Sequence, residues 1–193
     1  MVYPSAVVNS QAGAVALQFD DGIGFKFIPA FLDTEGKGYV CPLDVAQGTW
    51  QLINPRAEIG AIESADVGSI KNLRRFCRIL RVWKTFQNLP ISPLLLDSFA
   101  LDFISNWKYS DKSFAYYDWM CRDFFLYLKN QDPETHSWPA VGSEQLLPRA
   151  GEFESVAARC YVLAQEAIAH EHNKQGWLAN QKWLVIFGER FLD

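Results

Sequence analysis

The sequence predicts an α+β fold that is mostly α, with an N-terminal β-hairpin followed by a bundle of about five helices. Three observations carry this prediction. Two short apolar runs near the N-terminus flank an Asp-Gly turn. Apolar residues recur at helical spacing through much of the chain after residue 69. Finally, 49% of the 193 residues are apolar, enough for a core of one domain's size.

The hairpin strands are predicted over residues 14–19 and 23–28, joined by the turn Asp20-Asp21-Gly22. Pro29 closes the second strand, and a Gly-rich loop is predicted over residues 33–48. An isolated hairpin is marginally stable in water. We therefore expect it to pack on helices or to complete a partner's sheet through its edge.

Five helices are predicted from the spacing of apolar residues, the first with Ser69 as its N-cap. They cover residues 69–84, 92–107, 113–129, 153–172 and 177–187. Prolines and a glycine between the third and fourth helices predict an irregular loop. No linker separates two patterned cores, so residues 1–193 are predicted to form one domain, with a sheet and loop portion over 1–50 and a helical portion over 51–193.

Composition narrows the function classes. The formal charge of -4 gives no global attraction to nucleic acid or to anionic lipid. No apolar run is long enough to span a membrane and no secretory signal pattern is present, so a cytoplasmic protein without a membrane partner is predicted. The four cysteines are far apart with no C-x-x-C pair, which predicts buried free thiols.

Several short stretches together resemble a known family. They are residues 25–31 (FKFIPAF), 54–59 (NPRAEI), 72–78 (NLRRFCR), 81–84 (RVWK), 95–100 (LLDSFA), 116–120 (YYDWM), 122–125 (RDFF) and 183–188 (WLVIFG). Their ordered set is similar to the C-terminal half of the CD-NTases, the cGAS/DncV-like (SMODS) nucleotidyltransferases of bacterial anti-phage signalling of the CBASS type. The resemblance covers nearly the whole chain.

The resemblance implies a metal site that this sequence does not complete. In the family, a Gly-Ser turn and a D-x-D strand precede the segment seen here, and a third acid lies on a later strand. These carboxylates hold two magnesium ions. The third-acid position is Lys26 here, so the resemblance implies no catalytic or metal-binding residue in this chain, with Mg²⁺ held only if a partner supplies the acids. Lys26 either neutralises phosphate or faces solvent.

A row of cations marks the first predicted helix. Lys71, Arg74, Arg78 and Arg81 follow one another at intervals of three, four and three residues, which places them along one helical face. Such a stripe is either a solvated face opposite the apolar one or a site for the phosphates of an ATP- or GTP-like nucleotide. The sequence leaves both alternatives open.

Three further residues are candidates for nucleotide contact. Lys84 and Ser92 resemble the Lys and Ser with which related nucleotidyltransferases hold the donor triphosphate, although Ser92 is equally suited to be an N-cap. Arg56 lies on the turn at residues 54–56, where its guanidinium could bridge carboxylate or phosphate, and a structural role is the alternative.

Two functions from different classes follow. The first is one half of a nucleotidyltransferase that makes a nucleotide second messenger from nucleoside triphosphates. Its partner chain would supply the Gly-Ser turn and the metal-binding carboxylates. The second is a non-catalytic relative, a pseudoenzyme that binds nucleotide or a protein partner and regulates defence. A remnant or truncated piece of a longer protein is a third reading.

Overall fold

The structure is a computed structural model that describes residues 7–11 and 13–189, and it confirms the predicted α+β, mostly α fold. The chain divides into two compact units, which adjoin in the sequence at Arg56 and Ala57. The first unit is made of strands and the second mainly of helices. The single domain with an internal boundary near residue 50 stays a prediction.

The first unit contains the predicted hairpin as part of a larger sheet. Strands β1 (Val7–Gln11), β2 (Ala14–Gln18) and β3 (Gly24–Phe27) form an antiparallel sheet in the order β1-β2-β3. At the β2–β3 turn, the Ile23 amide donates to Asp21 Oδ1 at 2.9 Å. Gly22 adopts a φ of 84°, which a residue without a Cβ reaches at low cost. The Asp-Gly prediction is therefore confirmed, and β1 adds a third strand to it.

The predicted Gly-rich loop is wrong in part, because the central strand of a second sheet lies within residues 33–48. Strands β4 (Phe31–Leu32), β5 (Tyr39–Asp44) and β6 (Thr49–Ile53) pair antiparallel in the order β4-β5-β6. Gly36 and Gly48 lie in the turns between these strands with positive φ angles. The glycines thus mark two tight turns, whereas each strand contains β-branched or aromatic residues, such as Tyr39, Val40 and Trp50.

Six α-helices and a small hairpin follow within the described residues. The helices are α1 (Pro55–Gly68), α2 (Asn72–Phe86), α3 (Pro93–Asn106), α4 (Tyr117–Lys129), α5 (Glu154–His172) and α6 (Gly176–Phe187). A short 3-10 turn at Phe114–Tyr116 precedes α4. Strands β7 (Ser137–Pro139) and β8 (Leu146–Pro148) form a hairpin within the segment that was predicted to be an irregular loop. Five helices match the predicted ones to within a few residues.

Helix α1 was not predicted, and the start of α2 differs from the prediction. Pro55 opens α1 directly after Asn54, because proline is tolerated where the first amide has no helical partner. Helix α2 begins at Asn72, three residues after Ser69, with Lys71 in the left-handed region at the cap position. Ser69 Oγ still accepts a hydrogen bond from the Leu73 amide at 3.3 Å. It supports the helix start without being the N-cap.

The core of the helical unit is built on aromatic rings. Trp83 of α2 lies against Phe125 of α4 with ring centroids 5.0 Å apart, and Phe76 meets Phe124 edge-on at 5.1 Å. The Trp83 indole donates to Cys160 Sγ at 3.3 Å. All four cysteines are buried and free, as predicted. Among the described helices, none combines the length and the apolarity that a membrane crossing would need.

Candidate functional site

Helix α2 separates its apolar and basic residues onto different faces. Leu73, Phe76, Leu80 and Trp83 are fully buried in the core. Arg74, Arg78 and Arg81 are exposed, as their spacing predicts. Lys71 is also exposed but lies before the helix with a φ of 65°. The helical-spacing argument therefore covers the three arginines, and Lys71 joins them through the turn that precedes the helix.

Carboxylates of α1 partly neutralise the N-terminal end of this basic face. Arg74 donates from Nη2 to Glu63 Oε1 at 2.9 Å, and its Nε lies 4.0 Å from Asp66 Oδ2. The Arg74 amide also donates to Asp66 Oδ1 at 2.9 Å. Asp66 is buried although it is an acid. The side chain of Arg74 is thus held in place by two acids that the sequence analysis did not connect with it.

Arg81 is paired with a buried acid of α3. Its Nη2 donates to Asp97 Oδ2 in a short ion pair. The Asp97 side chain is 8% exposed, whereas that of Arg81 is 54% exposed. Asp97 Oδ1 is also buried, and it has no hydrogen-bond partner among the described residues. A buried carboxylate oxygen without a donor is costly, so Asp97 is the most unusual polar group of this face.

A cavity of about 270 Å³ lies between these groups. It is lined by Ile62, Arg74, Cys77, Arg78, Arg81 and Asp97. Arg78 forms no ion pair with any residue that the structure describes, so its guanidinium is available to an incoming anion. Burial raises the pKa of the Cys77 thiol, Asp97 raises it further and Arg81 opposes the change. Cys77 therefore lines the cavity as a protonated thiol and is not a nucleophile.

Acidic residues of the neighbouring helices lower the positive charge that the sequence of α2 suggests for its basic face. Glu63, Asp66 and Asp97 offset most of the charge of Lys71 and the three arginines. An anion would therefore meet a site with fixed donors and a small positive excess, instead of a bare basic stripe. Asp66 and Asp97 lie 8 and 16 residues from the arginines that they contact. Helical periodicity within α2 gives no signal for either contact.

Lys84 and Ser92 lie on either side of the α2–α3 connection. Lys84 is half-buried in the last turn of α2 and has no ion pair within the described ranges. Ser92 is the N-cap of α3, and its Oγ accepts from the Leu95 amide at 3.2 Å. The capping alternative for Ser92 is confirmed. Neither residue lines the cavity of the three arginines, and their contact with nucleotide stays a prediction.

Arg56 and Lys26 belong to the first unit. The Arg56 guanidinium lies over the Tyr39 ring at 5.6 Å from its centroid, which favours the structural alternative for this residue. Lys26 is exposed on β3, opposite Ala16 of β2. The rings of Phe25 and Phe27 stack on each other at 6.3 Å, so Lys26 projects from the other face of the strand.

Carboxylate, histidine and cysteine side chains do not assemble into a metal site in the parts of the chain that the structure describes: none of their clusters has three members placed to hold an ion. Lys26, at the position of the expected third acid, carries an ammonium without a free electron pair and cannot ligate Mg²⁺. The residues present therefore do not fit a resident magnesium ion.

The sequence is similar to that of a probable cyclic nucleotide synthase. No family model matches the chain. The synthase, from Bacillus cereus (strain VD146), is 26% identical over an alignment of 201 residues, which covers 98% of this chain and 58% of that protein. The chain thus spans little more than half the length of this relative.

The fold is also found in solved structures of DncV. The Escherichia coli DncV crystal structure in its 3'-deoxy GTP bound form matches with a TM-score of 0.73 and 12% identity, over 100% of this chain and 54% of that one. The Vibrio cholerae DncV cyclic AMP-GMP synthase, in complex with the linear intermediate 5' pppA(3',5')pG, matches with a TM-score of 0.70 and 12% identity, over 98% and 54%.

Proposed function

The chain is CD-NTase-like in sequence and in fold, and from this premise we propose that it is the nucleotide-binding half of a cGAS/DncV-like nucleotidyltransferase. It works with a partner chain to make a nucleotide second messenger in bacterial anti-phage signalling. The observation that carries the proposal is the arginine face of α2, with Arg78 unpaired among the described residues. The similar DncV structures contain 3'-deoxy GTP and a triphosphate-bearing linear intermediate.

The proposed contacts follow from donor chemistry. Arginine offers several N–H donors in a planar fork that suits phosphate oxygens, and Arg78 has this fork available. Lys84 supplies a compact positive charge for the triphosphate. Ser92 Oγ accepts from the Leu95 amide and still has its own O–H to donate to a phosphate oxygen. Capping and nucleotide binding by Ser92 are therefore compatible.

Catalysis would need carboxylates from outside this chain. Because Lys26 does not fit a magnesium site, we derive no metal-dependent step for the residues described. A Gly-Ser turn and two acids on a partner chain would supply the missing Mg²⁺ ligands. The role left to this chain is to bind and orient the nucleotide, which is the positioning part of phosphoryl-transfer chemistry.

The first unit supports the idea of a protein partner. Phe25 and Phe27 of β3 are 52% and 55% exposed, and Val15 beside them on β2 is 44% exposed. Strand β3 is an edge of its sheet within the described residues, so its backbone can pair with another strand. Exposed aromatic residues next to a free edge are typical of a surface that another chain covers.

A non-catalytic nucleotide-binding regulator is the second candidate. It is favoured by Lys26, which replaces a metal ligand, and by the acids that already pair with Arg74 and Arg81. This function needs neither metal-binding carboxylates nor a second catalytic chain. It shares with the first the requirement that the helical unit binds nucleotide.

Two measurements test the proposal. Calorimetric titration of the chain with ATP and GTP should show binding, and this binding should weaken in Arg78→Gln. The control is Arg75→Gln, which should bind as the wild type does, because Arg75 is exposed on the same helix but does not line the cavity. Labelled ribonucleoside triphosphates with Mg²⁺ or Mn²⁺ should then give product only when a partner is added. Binding without product in either case would favour the regulator, and absence of binding would overturn both.

A further inference from the structure

Asp97 has a hydrogen-bonding capacity that the protein does not use. Its Oδ2 accepts from Arg81, while its Oδ1 is buried without a partner among the described residues. The Cys77 thiol, whose pKa is raised by burial and further by Asp97, interacts with that carboxylate, but a thiol is only a weak donor. Leaving a buried charged acceptor unpaired costs free energy, and such groups in native proteins call for an explanation.

The cavity beside Asp97 has two complementary kinds of polar wall. A carboxylate can only accept hydrogen bonds, whereas the guanidinium of Arg78 can only donate them. A ligand that satisfies both walls must carry an anionic group and, at a short distance from it, an O–H or N–H donor. A fully ionised anion such as a carboxylate has no donor for Asp97 and would be repelled by its charge.

We propose that this cavity binds the ribose phosphate portion of a ribonucleotide, with the phosphate on Arg78 and a ribose hydroxyl donating to Asp97 Oδ1. A phosphate ester with neighbouring hydroxyls has both required groups. The volume of about 270 Å³ lies just below that of pockets for drug-sized ligands, which suits a sugar phosphate. This inference rests on the proposed function for its choice of ligand class and adds a specificity residue, Asp97.

Arg81 acts in this site as a positioning residue. By donating to Oδ2, it holds the Asp97 carboxylate in one orientation, which leaves Oδ1 to accept from the hydroxyl. It also reduces the repulsion between Asp97 and a phosphate bound nearby. The ion pair thus explains how a carboxylate can lie in a phosphate site without excluding the ligand.

A competing explanation is that Asp97 is merely the counter-ion of Arg81. The two explanations differ in their dependence on the ligand's hydroxyls. A counter-ion would be indifferent to them, and its neutralisation would release Arg81 and strengthen binding of every phosphate. A hydroxyl acceptor would instead discriminate between ribose and its deoxy analogue. The ratio of two affinities therefore separates them better than any single affinity.

The test is a calorimetric comparison of adenosine 5'-monophosphate with 2',3'-dideoxyadenosine 5'-monophosphate. We expect the wild-type chain to prefer the hydroxylated ligand by about tenfold, since a hydrogen bond to a charged group is worth about 1.5 kcal/mol or more. In Asp97→Asn the preference should fall below about threefold, whatever happens to the absolute affinity. Arg78→Gln should weaken both ligands, and Arg75→Gln neither. Ribose 5-phosphate should bind as well, because the base is not required.

Equal affinity of the wild-type chain for the two nucleotides would overturn the inference, and so would an unchanged preference in Asp97→Asn. If circular dichroism shows that Asp97→Asn does not fold, the affinities of the two monophosphates for the wild-type chain and for Arg78→Gln still test the inference. Binding of ATP that weakens in Arg78→Gln, together with equal affinity for the two monophosphates, would overturn this inference and leave the proposed function intact. Failure of ATP, GTP and the monophosphate to bind would remove the proposed function as well.

Discussion

The helical unit buries a set of aromatic residues in a closed core, whereas the strand unit leaves the aromatic residues of β3 exposed. In the helical unit, Phe124 and Phe125 are completely buried between neighbouring helices. In the strand unit, Phe25 and Phe27 are more than half exposed although they occupy a regular strand. Helices that surround one another can build a closed core, whereas a small sheet needs another layer on its faces. The helical unit thus encloses an aromatic core of its own, and the exposed rings of β3 mark the surface that the proposed partner would cover.

The largest effect should come from the centre of the helical core. Trp83→Ala should lower the free energy of unfolding by about 3–5 kcal/mol, because it opens a cavity beside Phe125 and removes the donor to Cys160. The matched control is Trp50→Ala in β6, where the side chain is 52% exposed, with an expected loss below about 1 kcal/mol. Urea titration followed by circular dichroism measures both. Similar losses at the two sites would break the comparison.

A smaller effect is expected at Asn72, which ties α2 to the loop before α4. Its amide donates to the Ser110 and Lys112 carbonyls at 2.9 and 2.8 Å, and its Oδ1 accepts from the Tyr117 hydroxyl at 3.0 Å. Asn72→Ala should cost about 2 kcal/mol, because it removes a buried amide and its three hydrogen bonds to part-buried partners.

Asn106→Ala is the control for that substitution. The exposed Asn106 amide donates to the carbonyl of Asp102 within its own helix, and its loss should change stability by less than about 0.5 kcal/mol. Thermal melting of the two variants checks the difference. Equal melting temperatures would mean that the Asn72 network contributes nothing beyond local helix contacts.

The strand unit should respond in association and not in stability. Phe27→Ser removes an exposed ring, so the free energy of unfolding of the chain by itself should change by less than about 1 kcal/mol. Binding to a nucleotidyltransferase partner should weaken at least tenfold if the ring belongs to the interface. Analytical ultracentrifugation of the mixture measures this. A large loss of stability with unchanged association would contradict this prediction, because Phe27 would then stabilise the fold and not the interface.

The smallest effect concerns pH and the helical unit alone. Burial acts to raise the pKa of Glu154, but hydrogen bonds from Arg149 and from backbone amides outweigh it, so the pKa lies below its usual value. A carboxyl with a depressed pKa stabilises the fold above its unfolded pKa, and this contribution disappears as the pH falls through the folded pKa. Glu154→Gln should therefore lose some stability at pH 7 and little at pH 3, as measured by urea titration. A constant difference at both pH values would contradict the assignment.

Local patterns predicted some elements and missed others for identifiable reasons. The Asp-Gly turn at Asp21 and Gly22 and the apolar spacing of α2 are local signals, and both predictions hold. Helix α1 was missed because it has no clean apolar stripe; Ile59 and Val67, for example, are exposed. Strands β5 and β6 were missed because the glycines of residues 33–48 suggested a loop, although Gly36 and Gly48 lie in the turns between strands.

The spacing of residues along α2 predicts which of its side chains face the core and which face away, because side chains three and four residues apart share a helical face. Which arginine of the cavity stays available to a ligand depends on the packing of the helices. Asp66 reaches Arg74 from α1 and Asp97 reaches Arg81 from α3, while Arg78 meets no acid among the described residues. Ion pairs between different helices depend on how those helices pack, and the periodicity of a single helix does not predict them.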